Sequence, residues 1–510
     1  MISASSTFEK ILSASFWGML STIVTGSVQL MIVPLLIGSY GKVDYGLIMI
    51  AFSIFAYIRM LDFGMQSGSI RFGTMWLSTD NYKRVNSLFQ TNIYFSGLMG
   101  LLNALILIWL GNNDANLFNL SSEQQLLFKW MMWMLAINIV LDWLSTVFII
   151  LFSVNHEIGW ISKITIVKNI VFFIAIMYVI TFNIPLTWYF LTYTISSMAQ
   201  LLLFLAISYR IKILSAAYLK PKLYKNIFKE VFSYSFGIFS MRVFQISALY
   251  LRPILISIVA VESTIIVADY SIIQSICALV IAFAGVFSQI LLPLTSKSLA
   301  LGEHDKISQI VHTGTKYISI FLSYLIFILV INVEPLLELY VGSEYTHLST
   351  WVIVALITLF GLHNSPVSSL IIAHGRLTPL IKFSAINTLF SLTLVILFTQ
   401  KYGVGGAILS YLIYTVLQTG FIYIYYTTLV FELQSKIIFV KSFAIPVFVG
   451  GISAILSITL SQLMYIEANV VKILVNSSLF VAVYTSLCLG FIVRPKEVKG
   501  LFLKFYNNKI

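Results

Sequence analysis

Three basic side chains stand where a hydrocarbon solvent is expected. Arg59, in the stretch YIRMLDFGMQSG over 57–68, Lys168 and Arg242 each fall inside a long apolar run. They lie about 14, 8 and 11 residues from the start of their runs, which at ~1.5 Å per residue places all three deep in a bilayer. A charge at that depth costs about 2.5–3.5 kcal/mol on insertion scales, so such residues line a cavity, pair, or mark a ligand path. A guanidinium fork donates two parallel hydrogen bonds to phosphate oxygens, and the chemistry this set suits is capture of a phosphate-bearing anion. Arg252, near the outer end of the same run as Arg242, is a fourth candidate contact and is expected to face the external mouth. Asp62, Asp142 and His363 are the groups able to carry a proton or cation during coupling. Two readings of the first charges stay open. Asp62, three residues beyond Arg59 on one helical face, forms an intrahelical ion pair that lets Arg59 insert; or bases from both halves of the chain share one cationic chamber. His363, in HNSP over 363–366, reads as a hydrogen-bonded residue filling a proline kink or as a proton carrier.

The elements that position these residues follow from composition. The 510 residues are 59% hydrophobic and 10% charged, against about a quarter charged in soluble domains. Runs of about 20 nearly uncharged residues recur along the whole length, each long enough to cross ~30 Å of hydrocarbon. The fold class is all-α polytopic, with fourteen transmembrane helices near 11–37, 45–67, 88–110, 125–153, 160–182, 186–209, 231–259, 264–292, 310–333, 349–373, 379–399, 403–431, 441–463 and 470–493. The longest polar gap, Arg210 to Lys229, has the length of one amphipathic surface helix and leaves no room for a separate soluble domain. Cys277 and Cys488 lie in apolar runs and read as small hydrophobes.

The net charge of +12 is dispersed over short loops rather than gathered on one basic surface, so no nucleic acid is expected as a partner. Its alternation fixes orientation. With the N-terminus inside, cytoplasmic loops collect Arg71, Lys83, Arg84, the cluster from Arg210 to Lys229, Arg376, and the tail from Arg494, while outer loops carry Lys42 and Lys401 among many acids. That asymmetry is the positive-inside pattern, and it requires an even count with both termini cytoplasmic. The linker and the tail serve topology alone or also bind anionic membrane lipids.

A repeat runs through the chain. FEKILSASF at 8–16 matches FKEVFSYSF at 228–236, and His156 with His374, Asn169 with Asn387, Tyr193 with Tyr411 and Gln200 with Gln418 all pair at an offset of 218. Two parallel six-helix bundles are expected, 1–210 and 231–432, related by a pseudo-twofold axis along the membrane normal. They are joined by a basic cytoplasmic linker at 211–230 and followed at 433–510 by two additional helices and a basic tail. Many transporters are built this way and work by alternating access.

The stretch from Pro34 to Arg71, with Gly41, Tyr45, Gly46, Asp62, Phe63, Gly64 and Arg71, resembles the first-loop and second-helix signature of the polysaccharide transporter branch of the multidrug/oligosaccharidyl-lipid/polysaccharide (MOP) exporter superfamily. AHGRLTPLIKFSAINTLFSLTLVILFTQKYGVGGAILSYLI, from Ala373 to Ile413, resembles the corresponding later segment. Within that branch the chain is most similar to the O-antigen flippase, or Wzx-type, group. The resemblance implies translocation of an undecaprenyl-pyrophosphate-linked oligosaccharide from the cytoplasmic to the periplasmic leaflet of a bacterial inner membrane, in O-antigen, lipopolysaccharide or other surface polysaccharide biosynthesis. It also implies a polysaccharide polymerase and a chain-length regulator as partners. By position, Arg59 and Arg242 are the residues it marks for pyrophosphate, whereas Lys168 rests on depth alone.

Rival readings differ in what they require. An enzyme would need an extended outer loop or a catalytic motif, and HExxH, GxxxxGK[ST] and GxSxG do not occur; no cofactor and no metal are expected. The stronger rival is a cation-coupled multidrug exporter of the same superfamily, which would carry twelve spans and deep acids rather than deep bases.

Overall fold

The structure is a computed structural model describing residues 4–113, 115–464 and 468–492. Among these the secondary structure is all helix, joined by short turns. The tail from Arg494 onward and the side chain of Arg242 lie outside the described residues.

Twelve helices among the described residues are long and apolar enough to cross a membrane. The first of them, Phe16–Arg59, covers two of the expected spans, because Gly41 breaks the helical backbone at φ 83° and ψ 167°. One more expected span falls on the helix Lys225–Val259, whose apolar portion is Val243–Val259. Each of the fourteen expected apolar runs therefore falls mainly on helix, and the chain is a multi-pass membrane protein.

The chain packs as two compact units. One comprises Met1–Ser275 with Ser384–Ala407, the other Ile276–Phe383 with Ile408–Ile510. These boundaries differ from the repeat boundary at 211–230. Contact and ancestry partition a chain differently: the helix that opens the second repeat packs with the helices of the first unit.

In the first unit the helices are α1 (Ala4–Arg59), α2 (Met65–Ser78), α3 (Tyr82–Asn113), α4 (Ser122–Val154), α5 (Ile158–Thr181), α6 (Thr187–Arg210) and α7 (Lys225–Val259). Helix α1 packs on α4, α5 and α7, while α2 sits among α3, α4 and α7. Helix α4 opens with a capping box, Ser121 and Gln124 each bonding the other's backbone N–H.

The expected span at 45–67 is not continuous. Helix α1 stops at Arg59, a turn covers residues 60–64, and α2 begins at Met65. Phe63 at φ 50° and Gly64 at φ 73° are left-handed, a conformation that ends helices. The Asp62 carboxylate accepts from the Gly64 N–H at 2.9 Å and locks the turn. Outside, the Phe63 ring packs on Phe239 and Phe232 of α7, with centroids 5.2 and 6.2 Å away. Gly64 and Gly68 have no room for side chains. A Cβ on Gly64 would meet the Ser235 carbonyl oxygen at 2.3 Å, and one on Gly68 the Ser235 hydroxyl at 2.0 Å. Helices α2 and α7 thus cross backbone to backbone, the close approach that small residues permit in membranes. The break tightens the last turn, in which the Leu61 N–H donates to the Ile58 carbonyl at 3.1 Å, and Asn103 of α3 donates to the same oxygen at 3.4 Å.

In the second unit, the span Ser343–His374 is interrupted at mid-length. Residues Leu359–Asn364 form a tighter 3-10 stretch, and an α-helix resumes at Ser365 with Pro366 in its first turn. Proline is tolerated there because its missing N–H is one the helix start leaves unused.

Candidate functional site

Arg59 is the last residue of α1, carried there by the turn that follows it. Its guanidinium Nη1 lies 3.1 Å from Asp142 Oδ2 on α4. Asp142 is 3% accessible, whereas Arg59 keeps 46% of its side chain accessible. One arm of the fork is held by a buried carboxylate, and the rest of the side chain is available to another anion.

This arrangement replaces the intrahelical pairing drawn from the sequence. Because the helix ends at Arg59, Asp62 does not follow it on the same face but sits in the turn, aimed at the Gly64 N–H. A carboxylate from another helix answers Arg59 instead.

Lys168 reaches the same place from α5. Its ammonium stands over the Tyr193 ring of α6, 5.3 Å from the centroid, and it is within electrostatic range of both Asp142 and Arg59. Two cations and one anion therefore converge, for a formal charge of one positive. An aromatic wall flanks them: Tyr193 meets Phe52 and Phe172 edge-on, each with centroids 5.3 Å away, and Phe55 at 6.4 Å. Tyr189 continues it against Phe52 and Phe172. Lysine over an aromatic face is the cation–π geometry, which holds the ammonium without neutralising it.

Tyr193 enters the sequence reading only as a repeat marker and the phenylalanines not at all, although a signal existed. Phe52, Phe55 and Arg59 are spaced three and four apart, as are Lys168 and Phe172 by four. Those intervals put ring and charge on one helical face.

The remaining candidates lie elsewhere. Arg252 does not face an external mouth: it is wholly buried, with guanidinium nitrogens donating to the Ala248 carbonyl and, at 2.5 Å, to the Ser391 hydroxyl. Asp269 pairs with Lys42, whose Nζ is 2.6 Å away. The bond ties α1 just past the Gly41 kink to the helix beginning at Ser263. His363, in the second unit, is buried in the 3-10 stretch. Its Nδ1 is 2.5 Å from the Phe360 carbonyl, its Nε2 is 3.0 Å from the Tyr423 hydroxyl, and its ring stacks on Phe443 with centroids 3.8 Å apart. Both ring nitrogens are thus engaged, as the kink-filling reading requires.

No family model matches the sequence, and no curated protein matches it significantly. Solved structures do match its fold. A lipid II flippase MurJ in an inward closed conformation superposes with a TM-score of 0.69 at 15% identity, over 94% of this chain and 99% of that one. An inward-facing multidrug resistance MATE family transporter of the MOP superfamily gives 0.64 at 11% identity, over 77% of this chain and 92% of the other. The Vibrio cholerae MATE transporter VcmN gives 0.58 at 13%, over 84% and 98%. The chain has the helical fold that these MOP-superfamily transporters share.

Proposed function

We propose that the protein is a transporter that moves a lipid-linked, pyrophosphate-bearing oligosaccharide between leaflets by alternating access. The reading names an undecaprenyl-pyrophosphate-linked repeat unit of an O-antigen or similar surface polysaccharide as substrate. The observation that carries it is the Arg59–Asp142–Lys168 cluster, in which Arg59 pairs with a buried carboxylate and Lys168 stands within electrostatic range of both. A diphosphate supplies the charge that the cluster lacks. Likeness in fold to a lipid II flippase supports the same class of cargo.

In this mechanism Arg59 turns its accessible N–H groups to the phosphate oxygens, and Lys168 adds a point charge from the Tyr193 ring. Asp142 keeps Arg59 ordered while no anion is bound and limits how tightly the anion is held, so that it can leave. A membrane potential negative inside drives an anion outward by about 2.3 kcal/mol per charge per 100 mV. The reading places the protein in a bacterial inner membrane with both termini cytoplasmic. Arg242 is added to this set on its depth in the sequence and on its position in the family resemblance. A polymerase and a chain-length regulator would act downstream.

The experiment is complementation. A strain that makes a known surface glycan, with the gene deleted, is supplied with Arg59→Ala, Lys168→Ala and Arg242→Ala variants that insert normally. Loss of glycan in the Arg59 and Lys168 variants is expected, and full restoration by both removes the proposal. A second reading, cation-coupled multidrug export, draws on the MATE likeness and on the buried Asp142. Intact glycan with raised drug sensitivity in the deletion strain would favour it.

A further inference from the structure

The segment between α6 and α7 is not the surface helix its length suggests. Residues 211–224 run as turns and extended chain, yet they are fastened at several points to α3. Gln90 clasps the segment twice, its side-chain amide donating to the Ala217 carbonyl at 2.8 Å and its own carbonyl accepting from the Lys222 N–H at 3.3 Å. Next to it, the buried Thr91 hydroxyl accepts from the Tyr224 N–H at 3.3 Å. The Tyr218 ring stacks on the buried Phe89 with centroids 4.7 Å apart. Loops ordinarily run loose over a surface. This one is strapped down.

What the strap presents is one-sided in charge. From Arg210 to Lys229 there is no Asp or Glu. Lys212, Lys220, Lys222, Lys225 and Lys229 are all exposed. Between them Leu219 and Leu223 remain 40% and 37% accessible. The strap joins a membrane-crossing helix that ends at Arg210 to the start of α7, so it lies beside the bilayer surface. Satisfying topology needs only basic residues in a loop of any conformation. Fixed backbone anchors and outward leucines are additional, and together they match a layer that is anionic at its surface and apolar beneath.

We infer that the 211–229 strap is a docking surface for anionic lipid headgroups, seating the lysines on phosphates while Leu219 and Leu223 enter the acyl boundary. It depends on the membrane placement alone and not on the transported cargo.

The test uses the full chain, with Cys277 and Cys488 replaced by Ser and an environment-sensitive fluorophore at Leu219→Cys, in phosphatidylcholine nanodiscs titrated with phosphatidylglycerol. A blue shift that appears with phosphatidylglycerol and is reversed by salt is expected. In a Lys212→Gln, Lys220→Gln, Lys222→Gln variant its midpoint moves to higher phosphatidylglycerol fraction or the shift is lost altogether, because ~1 kcal/mol per basic residue weakens the association about fivefold for each lysine removed. A Gln90→Ala variant, which frees the strap without changing charge, weakens the response less. An equal signal in neutral and anionic discs, or a midpoint unchanged in the triple lysine variant, overturns the inference. So does loss of the signal to inorganic pyrophosphate at constant ionic strength, which would make this a soluble-phosphate site.

Discussion

Arg59 closes a helix inside its own span and meets Asp142 of a different helix at 3.1 Å, with the carboxylate buried and the guanidinium nearly half accessible. That asymmetry sets what each partner does when the other is removed.

Asp142→Ala leaves an arginine that can turn toward solvent, whereas Arg59→Ala strands a buried carboxylate. Breaking a buried pair from the side that leaves the buried charge alone is the costlier change, about 3–5 kcal/mol at the upper end. Thermal melting of the purified variants should therefore rank Arg59→Ala below Asp142→Ala, with Arg59→Ala/Asp142→Ala less damaged than additivity requires. Equal melting shifts would mean that the pair is not the contact described.

The turn that presents Arg59 depends on Gly64. An Ala there must hold a left-handed backbone and displace the Ser235 carbonyl, at a cost of about 1–3 kcal/mol. Gly64→Ala should lower both the melting temperature and glycan complementation, while Gly97→Ala, where a Cβ meets nothing within 4 Å, should leave both unchanged.

Arg252 is expected to act on folding and not on cargo. Its guanidinium is buried against Ala248 and Ser391, so Arg252→Ala should reduce the yield of folded protein, and Ser391→Ala should do so more mildly. Surviving Arg252→Ala molecules should bind a pyrophosphate lipid as the wild type does; a binding defect without a folding defect would return Arg252 to the site.

His363 has both ring nitrogens engaged and a ring stacked on Phe443. Substitution by Gln should lower stability through lost stacking, yet leave the pH profile of transport in place. A profile flattened in His363→Gln would identify the imidazole as the coupling group.

Much of this was legible in the sequence because membranes impose simple rules. Length and apolarity marked the long apolar helices, though not α2, and the depth of Arg59, Lys168 and Asp142 picked out residues that do converge. The break after Arg59 was harder to read. Hydropathy runs smoothly through MLDFG, since Met, Leu and Phe hide a turn made by Asp62 and Gly64, and Asp-Phe-Gly reads as a family signature before it reads as a turn. The partner of Arg59 was equally hidden. Spacing along one helix offered Asp62, and only packing brings residue 142 beside residue 59. Arg252 misled for the converse reason: position along a helix gives depth but not the direction a side chain takes.

Binding of an undecaprenyl-pyrophosphate-linked oligosaccharide to purified protein, compared among wild type, Arg59→Ala and Lys168→Ala, tests the cationic cluster most directly. Each lost charge-assisted contact is worth about 1.5–3 kcal/mol, so affinity should fall roughly tenfold to hundredfold in each variant, with little change for the monophosphate-free lipid alcohol. Wild-type affinity in both variants would contradict the account.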